Sequence, residues 1–314
     1  MYFKLDGNCD NKIYKFHNIN HLDTLDNKSN IEVLYCSNNQ LLQLPELPSN
    51  LKELYCGNNK LNQLPELPDS LIKLYCSYNQ LTQLPKLPNN LKELYCCHNK
   101  LTELPQLPDS LIKLNCSNNK LTELSDLPSN LKYLYCDNNK LTKLPQLPIN
   151  LQKLYCQNNQ LTELSDLPSN LKKLYCDNNQ LTHLPQLPDN LIELYFSYNQ
   201  LSQLSQLPIN VNYLSCNNNQ LTQLPNLPVN LKNLYCDNNK LTKLPLLPNK
   251  LTHLYCNNNS KNLHKYLIHC KSLYYYNKYN KYKYINTLND LLNYTIKNYY
   301  YFGIIKYYNI IKQY

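Results

Sequence analysis

Residues Leu51–Ser70 read LKELYCGNNKLNQLPELPDS, and Leu171–Asn190 read LKKLYCDNNQLTHLPQLPDN. The same 20-residue unit recurs from Ile31 to Lys250 as eleven full copies without insertion or deletion, and a partial twelfth runs from Leu251 to Asn259. A short unit with apolar residues at fixed places hides its core face only against its neighbours, so the array is a solenoid. Positions are numbered here from the first residue of each unit, so that Leu51 is position 1 and Ser70 is position 20.

Within a unit the pattern is L-x-x-L-x-C-x-x-N-x-L-x-x-L-P-x-L-P. Leu54-Tyr55-Cys56 alternates in, out, in, which is the period of a strand. The Leu-Pro-x-Leu-Pro stretch is not helical, because each proline pushes the residue before it to extended geometry. Prolines three apart, such as Pro45 and Pro48, match the threefold period of polyproline II. Each unit therefore reads as a short parallel strand followed by an extended, proline-locked return.

This consensus resembles that of the leucine-rich repeats, which Leu51, Leu54, Cys56, Asn59 and Leu61 match position by position. The short period and the Leu-Pro-x-Leu-Pro segment resemble the bacterial-type subclass found in secreted effectors of enteric pathogens. The resemblance implies an α/β-type repeat solenoid: a curved array with a parallel β-sheet on its concave face and extended or polyproline II convex segments. It also implies that the concave face grips proteins. Two features depart from the pattern. Cys replaces the third Leu in nearly every unit, and the 55 residues after Asn259 are too few for a catalytic ligase domain.

Four columns run along the array. The cysteine column, Cys36 to Cys256 with Phe196 in one place, lies between leucines and is expected to pack as small, inert hydrophobes. The asparagine column, Asn39 to Asn259, is unbroken and is expected to bond backbone groups of adjoining turns. The Pro-x-x-Pro motifs are expected to be structural, since the leucine between them is needed inside. The tyrosine column is different, because core packing does not require it. Tyr35, Tyr55, Tyr75, Tyr95, Tyr135, Tyr155, Tyr175, Tyr195, Tyr235 and Tyr255 occupy the outward strand position, interrupted by Asn115 and Ser215. Tyrosine has high β-propensity, and it is also a low-entropy anchor on binding surfaces. The candidate partner-binding residues are Tyr55, Tyr75, Tyr95, Tyr135, Tyr155, Tyr175 and Tyr195 with Lys132, Lys153 and Lys173.

Composition narrows the function classes. Three glycines are too few for a phosphate-binding glycine loop, and no HExxH, CxxC or nucleophile–His constellation appears. No catalytic residue, metal site or cofactor is expected, and the reading is non-enzymatic. The start lacks the apolar stretch of a signal peptide, and no apolar run reaches the roughly 18 residues of a membrane span. Fourteen cysteines in that setting suggest a reducing, cytoplasmic compartment. The chain has no Ala or Arg and is rich in Asn, Lys, Tyr and Ile, which suggests an AT-rich large DNA virus or protist as source.

Three segments follow. Residues 1–30 read as an N-terminal cap or degenerate repeat, and residues 31–259 as the solenoid. Residues 260–314 read as a Tyr/Lys-rich cap or tail. The tail holds nine Lys against one acid, Asp290, while residues 1–259 hold 22 Lys against 21 acids. Helical spacing of Leu288, Leu291, Leu292, Ile296 and Tyr299 predicts a capping helix near 286–301. The expected function is a scaffold that binds an unidentified protein partner on the concave strand face. The alternative is nucleic-acid or anionic-membrane binding through the basic tail, where Lys alternates with aromatics.

Overall fold

The computed structural model describes residues 13–15, 30–261, 263, 273–276 and 282–285. The chain divides into two compact units, Met1–Leu191 and Ile192–Tyr314. The first unit carries nine parallel strands: β1 (Ile13–Lys15), β2 (Val33–Tyr35), β3 (Glu53–Tyr55), β4 (Lys73–Tyr75), β5 (Glu93–Tyr95), β6 (Lys113–Asn115), β7 (Tyr133–Tyr135), β8 (Lys153–Tyr155) and β9 (Lys173–Tyr175). The second carries four: β10 (Glu193–Tyr195), β11 (Tyr213–Ser215), β12 (Asn233–Tyr235) and β13 (His253–Tyr255). An antiparallel hairpin follows, β14 (Leu273–Tyr276) with β15 (Tyr282–Ile285).

Each strand pairs with the residues 20 places on, Leu34 with Leu54 and Leu54 with Leu74, so like stacks on like. The same offset joins β1 to β2, Tyr14 opposite Leu34. The middle residue of each solenoid strand from β2 to β13 is a buried Leu between two half-exposed neighbours, except that Ser215 in β11 is itself buried. Positions 1, 4 and 6 fill the core; Leu51, Leu54 and Cys56 have no exposed surface. Complete burial of one leucine contributes roughly 1.5–3 kcal/mol, and every turn repeats that gain.

The Leu-Pro-x-Leu-Pro return makes no helix or strand, and its leucines point inward, with Leu44 and Leu47 buried. It ends in a tight turn, in which the Leu51 N–H donates to the Pro48 carbonyl at 3.1 Å. Position 20 ties adjacent turns together. Asn90 Nδ2 donates to the Asp69 carbonyl at 3.1 Å, and Ser70 Oγ donates to the Leu51 carbonyl at 2.7 Å.

Two expectations need correction. The solenoid is a parallel-strand β-solenoid rather than an α/β array, because a 20-residue turn spent on a strand and a proline-locked return leaves no room for a helix. The C-terminal helical cap is not supported. α-Helical geometry among the described residues is confined to Lys261 and Leu263, where Ser260 Oγ accepts from the Leu263 N–H at 3.3 Å. Beyond Leu263 the described part of the Tyr/Lys-rich segment is the antiparallel pair β14–β15, since its run of tyrosines favours strand. Residues 286–301, where a capping helix was expected, lie outside the described residues.

Candidate functional site: the tyrosine face

The side of the sheet away from the core is formed by positions 3, 5 and 7. Its position-5 tyrosines stack as rings, one per strand. Tyr35–Tyr55, Tyr55–Tyr75 and Tyr75–Tyr95 have centroids 4.5, 4.6 and 4.5 Å apart, with planes within 15° of parallel. The spacing is set by the backbone, because parallel strands lie about 4.8 Å apart and like residues stand in register. Tyr135–Tyr155 and Tyr155–Tyr175 continue the pattern at 4.8 and 4.3 Å, the first pair tilted by 36°. In the second unit the rings of Tyr195, Tyr213, Tyr235 and Tyr255 form one run at 4.6, 5.3 and 4.9 Å.

Tyr213 was not among the predicted site residues. It sits at position 3, yet its ring takes the place that Ser215 leaves in the stack, and Ser215 is buried. The sequence signal was an aromatic two residues before a gap in the tyrosine column. The other gap, at Asn115, has no such substitute, because position 3 of that strand is Lys113. Tyr95 there stacks only on Tyr75, and Tyr135 only on Tyr155, among the described residues.

Charge runs beside the rings. Glu53, Lys73, Glu93 and Lys113 alternate across β3–β6. Lys73 Nζ lies 2.9 Å from Glu53 and Lys113 Nζ 3.2 Å from Glu93. Tyr55 donates to Glu53 at 2.7 Å and Tyr75 to Glu93 at 2.9 Å. Burial raises the Glu53 pKa, but the hydrogen bonds from Lys73 and Tyr55 outweigh it and hold the carboxyl below its usual range. Burial, then the neighbouring carboxylate, pushes the phenols of Tyr55 and Tyr75 well up, so both stay neutral donors. From β7 onward the alternation ends. Tyr133, also missed by the sequence reading, lies between two lysines, with Lys113 Nζ at 5.9 Å and Lys153 Nζ at 5.4 Å from its ring centre.

The structure thus gathers most of the predicted residues on one face. Tyr55, Tyr75 and Tyr95 form one stretch, Tyr135, Tyr155 and Tyr175 another, and Tyr195 belongs to the stack of the second unit. Lys153 and Lys173 are strand residues at position 3, while Lys132 precedes β7 and is exposed. The cysteine column is buried up to Cys236 and half-buried at Cys256, none of its thiols is in a disulfide, and burial raises their pKa; Cys36 is pushed up to about 12. These are donors rather than nucleophiles, as Cys136 Sγ donates to the Tyr155 carbonyl at 3.4 Å. Among the described residues no group of His, Cys, Asp and Glu could hold a metal ion.

The comparisons agree with this architecture. A family model described as Leucine Rich Repeat matches residues 30–51. No curated protein matches the chain. Among solved structures, the leucine-rich effector YopM from Yersinia pestis is similar at 40% identity, with a TM-score of 0.65. That match covers 73% of this chain and 72% of the other. YopM from Yersinia enterocolitica is similar at 39% identity and a TM-score of 0.71. It covers 74% of this chain, which spans only about half (51%) of that protein. The functional domain of InlJ from Listeria monocytogenes, which includes a cysteine ladder, is similar at 28% identity and a TM-score of 0.53. It covers 62% of this chain and 50% of that one. These bacterial proteins lend no support to the viral or protist source suggested by composition. With 40% identity over nearly three quarters of a leucine-rich effector, the chain belongs to the leucine-rich-repeat family.

Proposed function

We propose that the protein is a non-enzymatic scaffold that binds a protein partner on its strand face, through the tyrosine ladder and the lysines beside it. The observation that carries this reading is the ladder itself. Its rings are held parallel and half-exposed by the sheet, so little side-chain freedom remains to be lost on binding. Tyr135, Tyr155 and Tyr175 with Lys132, Lys153 and Lys173 form the patch where rings meet successive lysines on one side and Asp137 and Asp177 on the other, which suits a partner surface of complementary mixed charge. The buried free thiols suit a reducing compartment, and we place the protein in cytoplasm.

The test compares wild type with the triple variant Tyr135→Ser, Tyr155→Ser, Tyr175→Ser in capture from cytosol, after circular dichroism shows both folded. A protein retained by wild type and lost from the variant supports the reading. Identical captures overturn it.

The hairpin supports a second reading. Its register places Tyr274 opposite Tyr284, Tyr275 opposite Lys283 and Tyr276 opposite Tyr282, an aromatic and basic ribbon suited to polyanions. Under that reading, removal of residues 264–314 abolishes salt-sensitive binding to single-stranded RNA or anionic vesicles and leaves strand-face binding intact.

A further inference from the structure

The two interruptions of the tyrosine ladder are not equivalent. At Ser215 the ring of Tyr213 closes the stack, and Ser215 is buried beneath it. At Asn115 the neighbouring side chains are otherwise engaged. Lys113 is ion-paired to Glu93, and Tyr133 lies between Lys113 and Lys153. Register puts Tyr95 opposite Asn115 and Asn115 opposite Tyr135. The two rings therefore stand two strand steps apart, roughly 9.5 Å. Stacked neighbours on this face lie 4.3–4.8 Å apart in the first unit. The gap is one ring thick.

Its floor is polar in a specific way. Asn115 Oδ1 accepts from the Ser117 N–H at 3.2 Å, which leaves its Nδ2 without an acceptor among the described residues. A guest that fills the slot must be planar and must carry a hydrogen-bond acceptor at its leading edge. Phenylalanine has no acceptor, and the indole N–H of tryptophan is a donor only. The phenol oxygen of tyrosine accepts. A nucleobase also has acceptors, but a nucleotide would bring its phosphate near two carboxylates, Glu93 and Asp137, with Lys113 already paired to the first. Lys113, Glu93 and Asp137 together leave one net negative charge beside the slot, which disfavours an anionic guest and tolerates an uncharged phenol.

We infer that the Asn115 gap is a receptor slot for a tyrosine side chain of the protein partner, sandwiched between Tyr95 and Tyr135 with its hydroxyl oxygen accepting from Asn115 Nδ2. The assignment rests on the strand face being the partner-binding surface, and it gives that surface a specificity point. The ladder then supplies both walls, and the guest ring completes an unbroken stack from Tyr35 to Tyr175.

The test is saturation-transfer NMR with N-acetyl-L-tyrosinamide as probe, N-acetyl-L-leucinamide as control and adenosine monophosphate as competitor, on the full chain. Wild type is expected to transfer saturation to the tyrosinamide ring and not to leucinamide. Asn115→Tyr, which restores the residue found at position 5 of most turns, fills the slot and abolishes the signal. Asn115→Ala keeps the slot but loses the donor, and weakens the probe about fivefold, the worth of one neutral hydrogen bond. Tyr95→Leu removes one wall and abolishes binding, which keeps the test decisive if the filled variant misfolds. Equal binding by folded Asn115→Tyr, or no preference for tyrosinamide over leucinamide, overturns the assignment. Tighter binding of adenosine monophosphate than of tyrosinamide overturns the choice of guest. Because the probe needs no partner, a failure of partner capture with probe binding intact would refute the broader reading and the partner's part in the assignment, and leave Asn115 as a tyrosine-binding slot alone.

Discussion

Position 8 of every described turn has a left-handed backbone, with φ between 52° and 60° from Asn38 to Asn258. Asparagine tolerates this conformation, whereas bulkier L-residues lose roughly 1–2 kcal/mol in it. Three turns place a ring there: Tyr78, His98 and Tyr198. Tyr78 and His98 recover part of that cost by stacking with centroids 4.1 Å apart. Tyr198→Asn is therefore expected to raise stability by about 1 kcal/mol, and Tyr78→Asn by less, because it forfeits a stack worth about 0.5–1.5 kcal/mol. Chemical denaturation of the two variants checks the order. Position 9 works in the opposite sense. Asn139 Nδ2 donates to the carbonyls of Cys116, Cys136 and Asp137, and its Oδ1 accepts from the Leu121 N–H at 3.0 Å. Asn139→Ala orphans buried backbone groups on two turns and is expected to cost about 2–3 kcal/mol in the same assay.

At the level of the turn, much was legible from spacing alone. Leu51, Leu54 and Cys56 are buried, Tyr55 is half-exposed, and Asn59 bonds the Cys36 and Cys56 carbonyls as its column implies. The left-handed position was not legible, because the usual mark of positive φ is glycine and the chain has only three. Position 20 also went unread, since a column of Asn with two Ser looks like turn filler until Asn90 is seen reaching the Asp69 carbonyl. The site was half legible. Alternation identifies which tyrosines face outward, but a ring crossing between positions 3 and 5, as that of Tyr213 does, depends on side-chain torsions and is marked in the sequence only by an aromatic two residues before a gap. Tyr213→Ser should open a second gap in the ladder. It is expected to cost about 1 kcal/mol from two lost ring contacts and to expose Ser215, which thermal denaturation and hydrogen exchange at Ser215 would detect.

For the molecule as a whole, uniformity has measurable effects. Excision of Leu151–Asn170 joins Asn150 to Leu171 and leaves every remaining turn with a compatible neighbour. The shortened chain is expected to fold with the same circular dichroism per residue, whereas removal of ten residues from the same place puts strand against return and prevents folding. The cysteine column makes the fold sensitive to alkali. An ordinary thiol titrates near 9, and burial pushes the ten buried ones higher. Below pH 9 both states keep these protons and the stability is fully present. Above it the unfolded chain releases protons that the folded chain holds, so stability falls as pH rises, by up to about 1.4 kcal/mol per pH unit for each thiol. Thermal melts between pH 7 and 10.5 should show a steepening loss from about pH 9; a flat profile would contradict it.

A strand that matches its neighbour at an offset of 20 residues matches the next neighbour at 40 nearly as well. A growing chain can therefore zip up one turn out of place, with a whole loop left dangling, and lose few contacts in doing so. Exceptional side chains help to tell the turns apart, above all Asn115, the bulky Phe196 among small thiols, and Ser215 with its paired Tyr213. They serve as address marks, and a chain made perfectly regular by replacing them would keep its contacts while losing its count.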